Sequence, residues 1–372
     1  MRTLARSLWL AEPSRFAGLP RGQARAVLAF VALFLLATMT ALVAPAPPLA
    51  GHDPARRETD QGDIVTYENI IERVRHGEAY YPVAADTLRH GDYPLRPFFT
   101  FRLPTLAVLL AMLPAPWRPV PMYLLSVAVL IAWATRLRAA FARRPPLLIA
   151  LLLLAAGALS GLQAGLVSFH DVWAGLFIAL SLALRRRGRW IESVAFGVCA
   201  MLVRELAAPY VLVMAAAAWG EGDRREAAGW IGALALFAAI LAAHAHAVAG
   251  VLHPTDPASP GWAGLLGLGF FVKAVVLSTG LQIAPPWLAA PLVGLSLVGW
   301  AAWRDALGLR VIATLATYAL LIAAGARVDN FYWALLVAPV SLVGLAFVPD
   351  AARDLVRAAR DTRRITVTRM AR

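Results

Sequence analysis

The chain has 372 residues, of which 60% are hydrophobic and only 15% charged. A water-soluble domain carries about 25% charge, so an ordinary soluble globule is excluded. The formal net charge is +13, from 35 Lys and Arg against 22 Asp and Glu. The base-stacking and groove-reading motifs of nucleic-acid binders are absent, so no nucleic-acid partner is expected. Apolar blocks of about 16 to 25 residues alternate with short basic or Pro/Gly-rich stretches, and about 20 residues of helix cross a hydrocarbon core. Backbone pairing in lipid requires such blocks to be helical. Cys199 is the single cysteine, which excludes a disulfide framework and a Cys-based metal site.

In chain order, Arg2, Arg6, Arg15, Arg21 and Arg25 flank the first apolar block, Ala24 to Val43. A basic flank keeps the N-terminus inside, so residues 1–23 are expected to be a cytoplasmic basic N-terminus. The Ala/Pro-rich stretch after it imitates a signal-peptidase site, but the block exceeds a usual h-region and reads as an uncleaved first helix. Residues 44–102 are the one long polar stretch, with Asp53, Glu58, Asp60, Asp63, Glu68, Glu72, Glu78, Asp86 and Asp92 against seven arginines. Lacking a basic excess, it belongs outside, in a large first periplasmic loop spanning 44–118. Within it Ile64, Tyr67, Ile70, Ile71 and Val74 share one face of an amphipathic helix suited to the membrane surface, with Asp63 just before it as an N-cap. Leu103 to Leu113 is too short to span, at about 16 Å, and reads as interfacial or re-entrant.

Val120 to Thr135 runs inward to Arg136, Arg138, Arg143 and Arg144; Pro146 to Gly161 runs out; Leu166 to Leu184 returns to Arg185, Arg186, Arg187 and Arg189. Trp190 to Trp219 is interrupted by Arg204, Glu205 and Pro209 and divides into two short helices, one long tilted helix being the alternative. Ala227 to Val248, Pro286 to Trp303, Leu309 to Ala324 and Phe331 to Phe347 also cross, while Gly264 to Ile283, which holds Lys273, lies along the surface or dips in. The expected fold is therefore an all-α polytopic membrane protein with about ten transmembrane helices. Residues 24–348 form a single transmembrane domain, 349–372 a cytoplasmic basic tail, and both termini are inside. Trp117, Trp190, Trp219, Trp230, Trp262, Trp287 and Trp303 fall near predicted ends, as interface-seeking indoles do. His244 and His246, at i,i+2, face different sides and do not share a metal.

Chemistry is expected where ionisable residues meet apolar segments. The outer loop holds Gly62-Asp63-x-x-x-Tyr67, then Gly77-x-x-Tyr80-Tyr81, then Arg96-Pro97 and Phe101-Arg102 ahead of the short helix. Aromatic faces stack on sugars, and guanidinium groups pair with phosphate through forked hydrogen bonds. Further along stand Ser168-Phe169-His170-Asp171 and Leu202-Val203-Arg204-Glu205. Structural roles compete with these readings: Asp63 as a cap, Asp171 as a helix N-terminal acid, Arg204-Glu205 as a local pair.

Over roughly residues 24–220 this order resembles the integral-membrane C-type glycosyltransferases, including bacterial mannosyltransferase-like members. The resemblance implies a polyprenyl-phosphate sugar donor, a lipid-embedded active site on the periplasmic face of the bacterial inner membrane, and a glycan, lipid or protein acceptor. By positional match it implies Asp63 and Asp171 as catalytic acids and Arg204 as a donor-phosphate contact. Arg96 and Arg102 supply further phosphate contacts, and Tyr67, Tyr80, Tyr81, His170 and Glu205 line the substrate site. No cofactor is expected, with a divalent metal left open. The chain departs from the group in its shortness, in having several candidate acids, and in lacking a soluble periplasmic domain. Two other classes fit the composition: a transporter or flippase of a lipid-linked substrate, and a non-enzymatic membrane assembly factor.

Overall fold

The computed structural model describes residues 7–46 and 62–362; Asp53 and Asp60 lie outside the described residues. Fifteen α-helices and no strand occur among them. They are α1 (Arg21–Thr38), α2 (Asp63–Arg75), α3 (Tyr80–His90), α4 (Thr105–Ala111), α5 (Pro119–Arg138), α6 (Arg144–Gly157), α7 (His170–Leu184) and α8 (Ile191–Val203). After these come α9 (Ala208–Gly220), α10 (Arg224–Ala249), α11 (Gly267–Leu277), α12 (Pro286–Ala302), α13 (Ala306–Gly325), α14 (Ala338–Ser341) and α15 (Val348–Arg360).

Four helical stretches are long and apolar enough to cross a membrane, Arg21–Leu42, Ala115–Arg138, Arg224–Ala249 and Ala306–Gly325, or five if a bent pair over 328–360 counts as one. The outer faces of these helices are apolar. Phe30, Leu33 and Leu36 of α1 are each about two-thirds exposed, an arrangement water would penalise and hydrocarbon would not.

Helix α7 is the axis of the bundle. Nearly all of its residues are buried, and it packs on α5, α8 and the turn Val328–Leu336. Gly175 makes that last approach close: a Cβ there would lie 2.1 Å from the Leu335 carbonyl oxygen. Around the C-terminal half of α5, Trp133, Trp300, Trp303, Phe141 and Phe347 form an aromatic core. Its buried indoles are satisfied by backbone carbonyls, Trp133 donating to Ala179 at 2.9 Å and Trp300 to Val340 at 3.0 Å.

Several expectations are met in outline. The 190–219 stretch is two helices, α8 and α9, broken at Arg204, where the backbone is extended. Pro209 explains the break, because it offers no N–H to the carbonyl four residues back and its ring crowds that carbonyl. Helix α4 is short, as its sequence length requires.

Other expectations are corrected. Asp63 is the first residue of α2 and not its cap; Gly62 occupies the cap position without a side-chain bond. Of the two readings of the 264–283 stretch, the surface one is corrected and the dipping one stands: Phe270, Phe271, Val272, Ala274 and Val275 of α11 are fully buried. Its glycines let it enter, since Gly269 lies so near Thr40 that a Cβ would meet that residue's backbone at 2.6 Å. The segment 331–347, part of the bent candidate span, is a series of short helical turns broken at Val337 and buried almost throughout.

Trp230 and Trp303 are buried, not interfacial, whereas Trp117, Trp219 and Trp287 are well exposed. Arg185 is not merely a loop charge either. It bonds Glu226 and Glu221, and Arg310 bonds the same two carboxylates, so a four-membered network, buried except at Glu221, ties α7, α10 and α13 together.

Candidate functional site

At the opposite end of α7 from Arg185, a second set of ionisable groups comes together. Each member is positioned by a local feature of sequence. Asp63 and Tyr67 are four residues apart and so share a face of α2. Tyr93 donates to Asp63 Oδ1 at 2.9 Å. It follows Gly91 and a left-handed Asp92 (φ 55°), a reversal that returns the chain from α3 toward α2. Burial, aided by the Asp63 carboxylate, pushes the Tyr93 phenol well above its ordinary range, so it remains a protonated donor.

Arg102, just before α4, donates from Nε to the Tyr67 hydroxyl at 3.1 Å and reaches Glu205 from Nη1 at 3.4 Å. Its backbone carbonyl accepts from Tyr80 at 2.7 Å. Burial pushes the Tyr67 phenol up as well, leaving it a proton to donate while its oxygen accepts from Arg102.

From the bundle side, Arg204 donates from Nε to Asp171 Oδ1 at 3.0 Å and from Nη1 to Glu205. The break between α8 and α9 brings it there, and Asp171 sits in the first turn of α7, where a carboxylate also complements the helix dipole. The Arg204 and Asp171 side chains are only 3% and 2% exposed, so each charge depends on its partner. Glu205 Oε1 is shared between Arg102 and Arg204.

His170 lies edge-on to Tyr67, with ring centroids 4.7 Å apart. It is buried, and neither of its nitrogens has a hydrogen-bond partner among the described residues. An unpaired buried polar group costs about 1–3 kcal/mol. Nη2 of Arg102 and Nη2 of Arg204 likewise have no hydrogen-bond partner among the described residues. Two carboxylates and two guanidinium groups thus form one contiguous cluster that keeps two guanidinium nitrogens and an imidazole uncommitted, and Asp63 stands within electrostatic reach of its Tyr67.

Asp63, Tyr67, Tyr80, Arg102, His170, Asp171, Arg204 and Glu205 are therefore gathered. Tyr81 stands beside them, its ring 5.3 Å from Tyr80 and its hydroxyl 3.0 Å from His244 Nδ1. Arg96 is not brought in: it donates to the His253 carbonyl at 2.6 Å, in the loop after α10.

Two residues join that the sequence placed in aromatic stretches but not among the expected site residues. Tyr93 is one. The other is Tyr332, whose ring packs on Phe169 at 5.2 Å and which sits within electrostatic reach of Arg102, Asp63, Arg204 and Asp171. The aromatic run Phe331-Tyr332-Trp333 was the only signal for it. No group of three or more His, Cys, Asp or Glu among the described residues is placed to hold a metal ion.

No family model, characterised protein or solved structure matches the chain.

Proposed function

We propose that the chain is a membrane glycosyltransferase that moves a sugar from a polyprenyl-phosphate donor to a glycan, lipid or protein acceptor. The observation that carries the reading is the bonded cluster of Asp171 and Glu205 with Arg102 and Arg204, beside an unpartnered His170, with Asp63 held by Tyr93 one turn before the Tyr67 that Arg102 bonds. Transfer forms a bond from the acceptor oxygen to the anomeric carbon and breaks that carbon's bond to the phosphate oxygen. The leaving lipid phosphate keeps the electron pair, and the acceptor's proton passes to a base.

Asp63 is the base in this scheme, held by Tyr93 on the loop side of the cluster. The uncommitted Nη2 atoms of Arg102 and Arg204 take the phosphate oxygens as negative charge develops there. Asp171 and Glu205 hold Arg204 in place. Tyr67, Tyr80, Tyr81 and Tyr332 supply the aromatic wall for the sugar.

In the same reading ten crossings embed the chain in a bacterial inner membrane, with the cluster on the periplasmic face and both termini in the cytoplasm. The transporter alternative asks for charge along a path between helices. Between Asp171 and Arg185, α7 carries no charged residue and is almost wholly buried, which favours the enzyme.

Asp63→Asn tests the scheme. Membranes carrying the variant should show normal insertion and normal amounts of chain, while transfer of radiolabelled sugar from a polyprenyl-phosphate donor falls by a factor on the order of a hundred or more. Undiminished transfer removes Asp63 as the base.

A further inference from the structure

The other end of α7 holds a hollow that the cluster does not use. Its volume is about 560 Å³, and its wall includes Arg136 from the last turn of α5, Arg186 just after α7, and Arg304 between α12 and α13. Glu12, Trp303 and Asp305 complete the charged and aromatic part of the lining. Three guanidinium groups therefore face two carboxylates.

The arginines are poorly occupied by the protein itself. Arg136 Nε is buried with no hydrogen-bond partner among the described residues. Its nearest acid, Asp305, is 3.6 Å away, beyond hydrogen-bonding distance. That carboxylate is already engaged, since Asp305 Oδ1 accepts from the Leu307 N–H at 2.8 Å and caps α13. Arg304 reaches only the Ser14 carbonyl, at 3.5 Å, and the Arg186 side chain is exposed.

The geometry points to a second ligand site here, an oxyanion pocket in which Arg136, Arg186 and Arg304 hold a phosphate group. Three forked donors suit a tetrahedral group with three or more oxygens better than the two oxygens of a carboxylate. The hollow is much larger than phosphate alone, so it admits the substituent as well, with Trp303 and the small Ala139 and Ala140 as apolar wall. The 15 residues of α7 separate this pocket from the carboxylate cluster by about 22 Å. The two sites share no residue, and this one stands whether or not the chain transfers sugar.

The phosphate belongs either to a lipid headgroup or to a soluble molecule, and one experiment separates these. The full chain in neutral detergent is unfolded thermally against rising inorganic phosphate, dioctanoyl phosphatidic acid, or succinate, all at matched ionic strength. Saturable protection is expected from a phosphate probe and none from succinate. Protection by phosphatidic acid alone assigns a lipid headgroup; protection by inorganic phosphate as well assigns a site that takes free phosphate.

The Arg186→Gln/Arg304→Gln pair changes two exposed side chains and leaves the fold intact. It should raise the half-protecting concentration about tenfold or more. The idea is overturned by no saturable protection, by equal protection from succinate, or by an unchanged half-protecting concentration in the double variant.

Discussion

Arg204 and Asp171 show what a buried pair costs when divided. Both side chains are almost wholly enclosed and bonded at 3.0 Å. Removing one leaves a charge without compensation, at a cost of about 3–5 kcal/mol, whereas replacing both by apolar groups of similar size is often near neutral. Arg204→Met should therefore lower the unfolding midpoint of the purified chain sharply. Adding Asp171→Leu should restore much of the loss while leaving transfer absent. A double variant no more stable than the single one would show that the pair is not the dominant interaction there.

At this scale the sequence was informative about charges and about the phenols of the first loop's Tyr67 and Tyr80-Tyr81, but not about two others. Asp171, Arg204 and Glu205 stand out because ionisable groups inside apolar segments are costly and need a reason. Tyr93 and Tyr332 do not, because tyrosine at a loop or helix border is ordinary. Arg185 was misread for the opposite reason. Topology accounts for a cluster of arginines so readily that the partners of one member, Glu221 and Glu226, stayed invisible until α10 was seen beside α7.

Among elements, α2 is tied to the start of α5 by one part-exposed acid. Glu72 accepts from Arg118 at 2.8 Å, and Arg75 bonds its other oxygen. These two guanidinium groups lower its pKa from 4.5 to about 2. A depressed carboxylate stabilises the fold fully above its unfolded value and loses that contribution as pH falls through the folded one. Protection of the 76–79 turn from protease should thus decline between about pH 4.5 and 2 more steeply in the native chain than in Glu72→Gln. Parallel curves would mean that the clamp contributes nothing.

The contact between α7 and the 328–336 turn carries a second expectation. Gly175→Ala would press a methyl group on the Leu335 carbonyl, at about 1–3 kcal/mol for overpacking. Because the same turn carries Tyr332, transfer should fall together with stability. A variant of unchanged midpoint and activity would show that the turn yields freely.

The sequence anticipated element positions well where a break had a chemical cause, as at Pro209. It anticipated them poorly where burial alone decided: α11 and the 331–347 turns have compositions that suit a surface, a span or an interior equally. Period and hydropathy report what a segment avoids, not which neighbour encloses it.

Across the whole molecule, the two ends differ in what they gather. One holds the carboxylate-rich cluster with α2, α3 and α4. The other holds the arginine-lined hollow, the Arg185 network, and both the 7–14 segment and α15. Single cysteines at exposed or half-buried positions test how these ends lie in a membrane. Glu68→Cys and Arg96→Cys should react with an impermeant maleimide in intact spheroplasts, and Arg187→Cys only after lysis. Labelling in the reverse order would place the cluster in the cytosol and end the periplasmic reading.

The pairing of the 8–14 segment with α15 has its own consequence. Asp350, completely buried at the start of α15, accepts from the backbone N–H groups of Leu8, Trp9 and Leu10, and Asp354 accepts from Ser14. The 8–14 segment thus finds part of its partners on α15, about 340 positions further along, and others just after α5, where Ala11 donates to the Ala140 carbonyl and Ala142 to that of Trp9. Until the ribosome has released α15, the N–H groups that Asp350 and Asp354 take must remain with water or lipid headgroups. Closure of this contact then follows synthesis of α15, and insertion of the helices between the two paired segments precedes it.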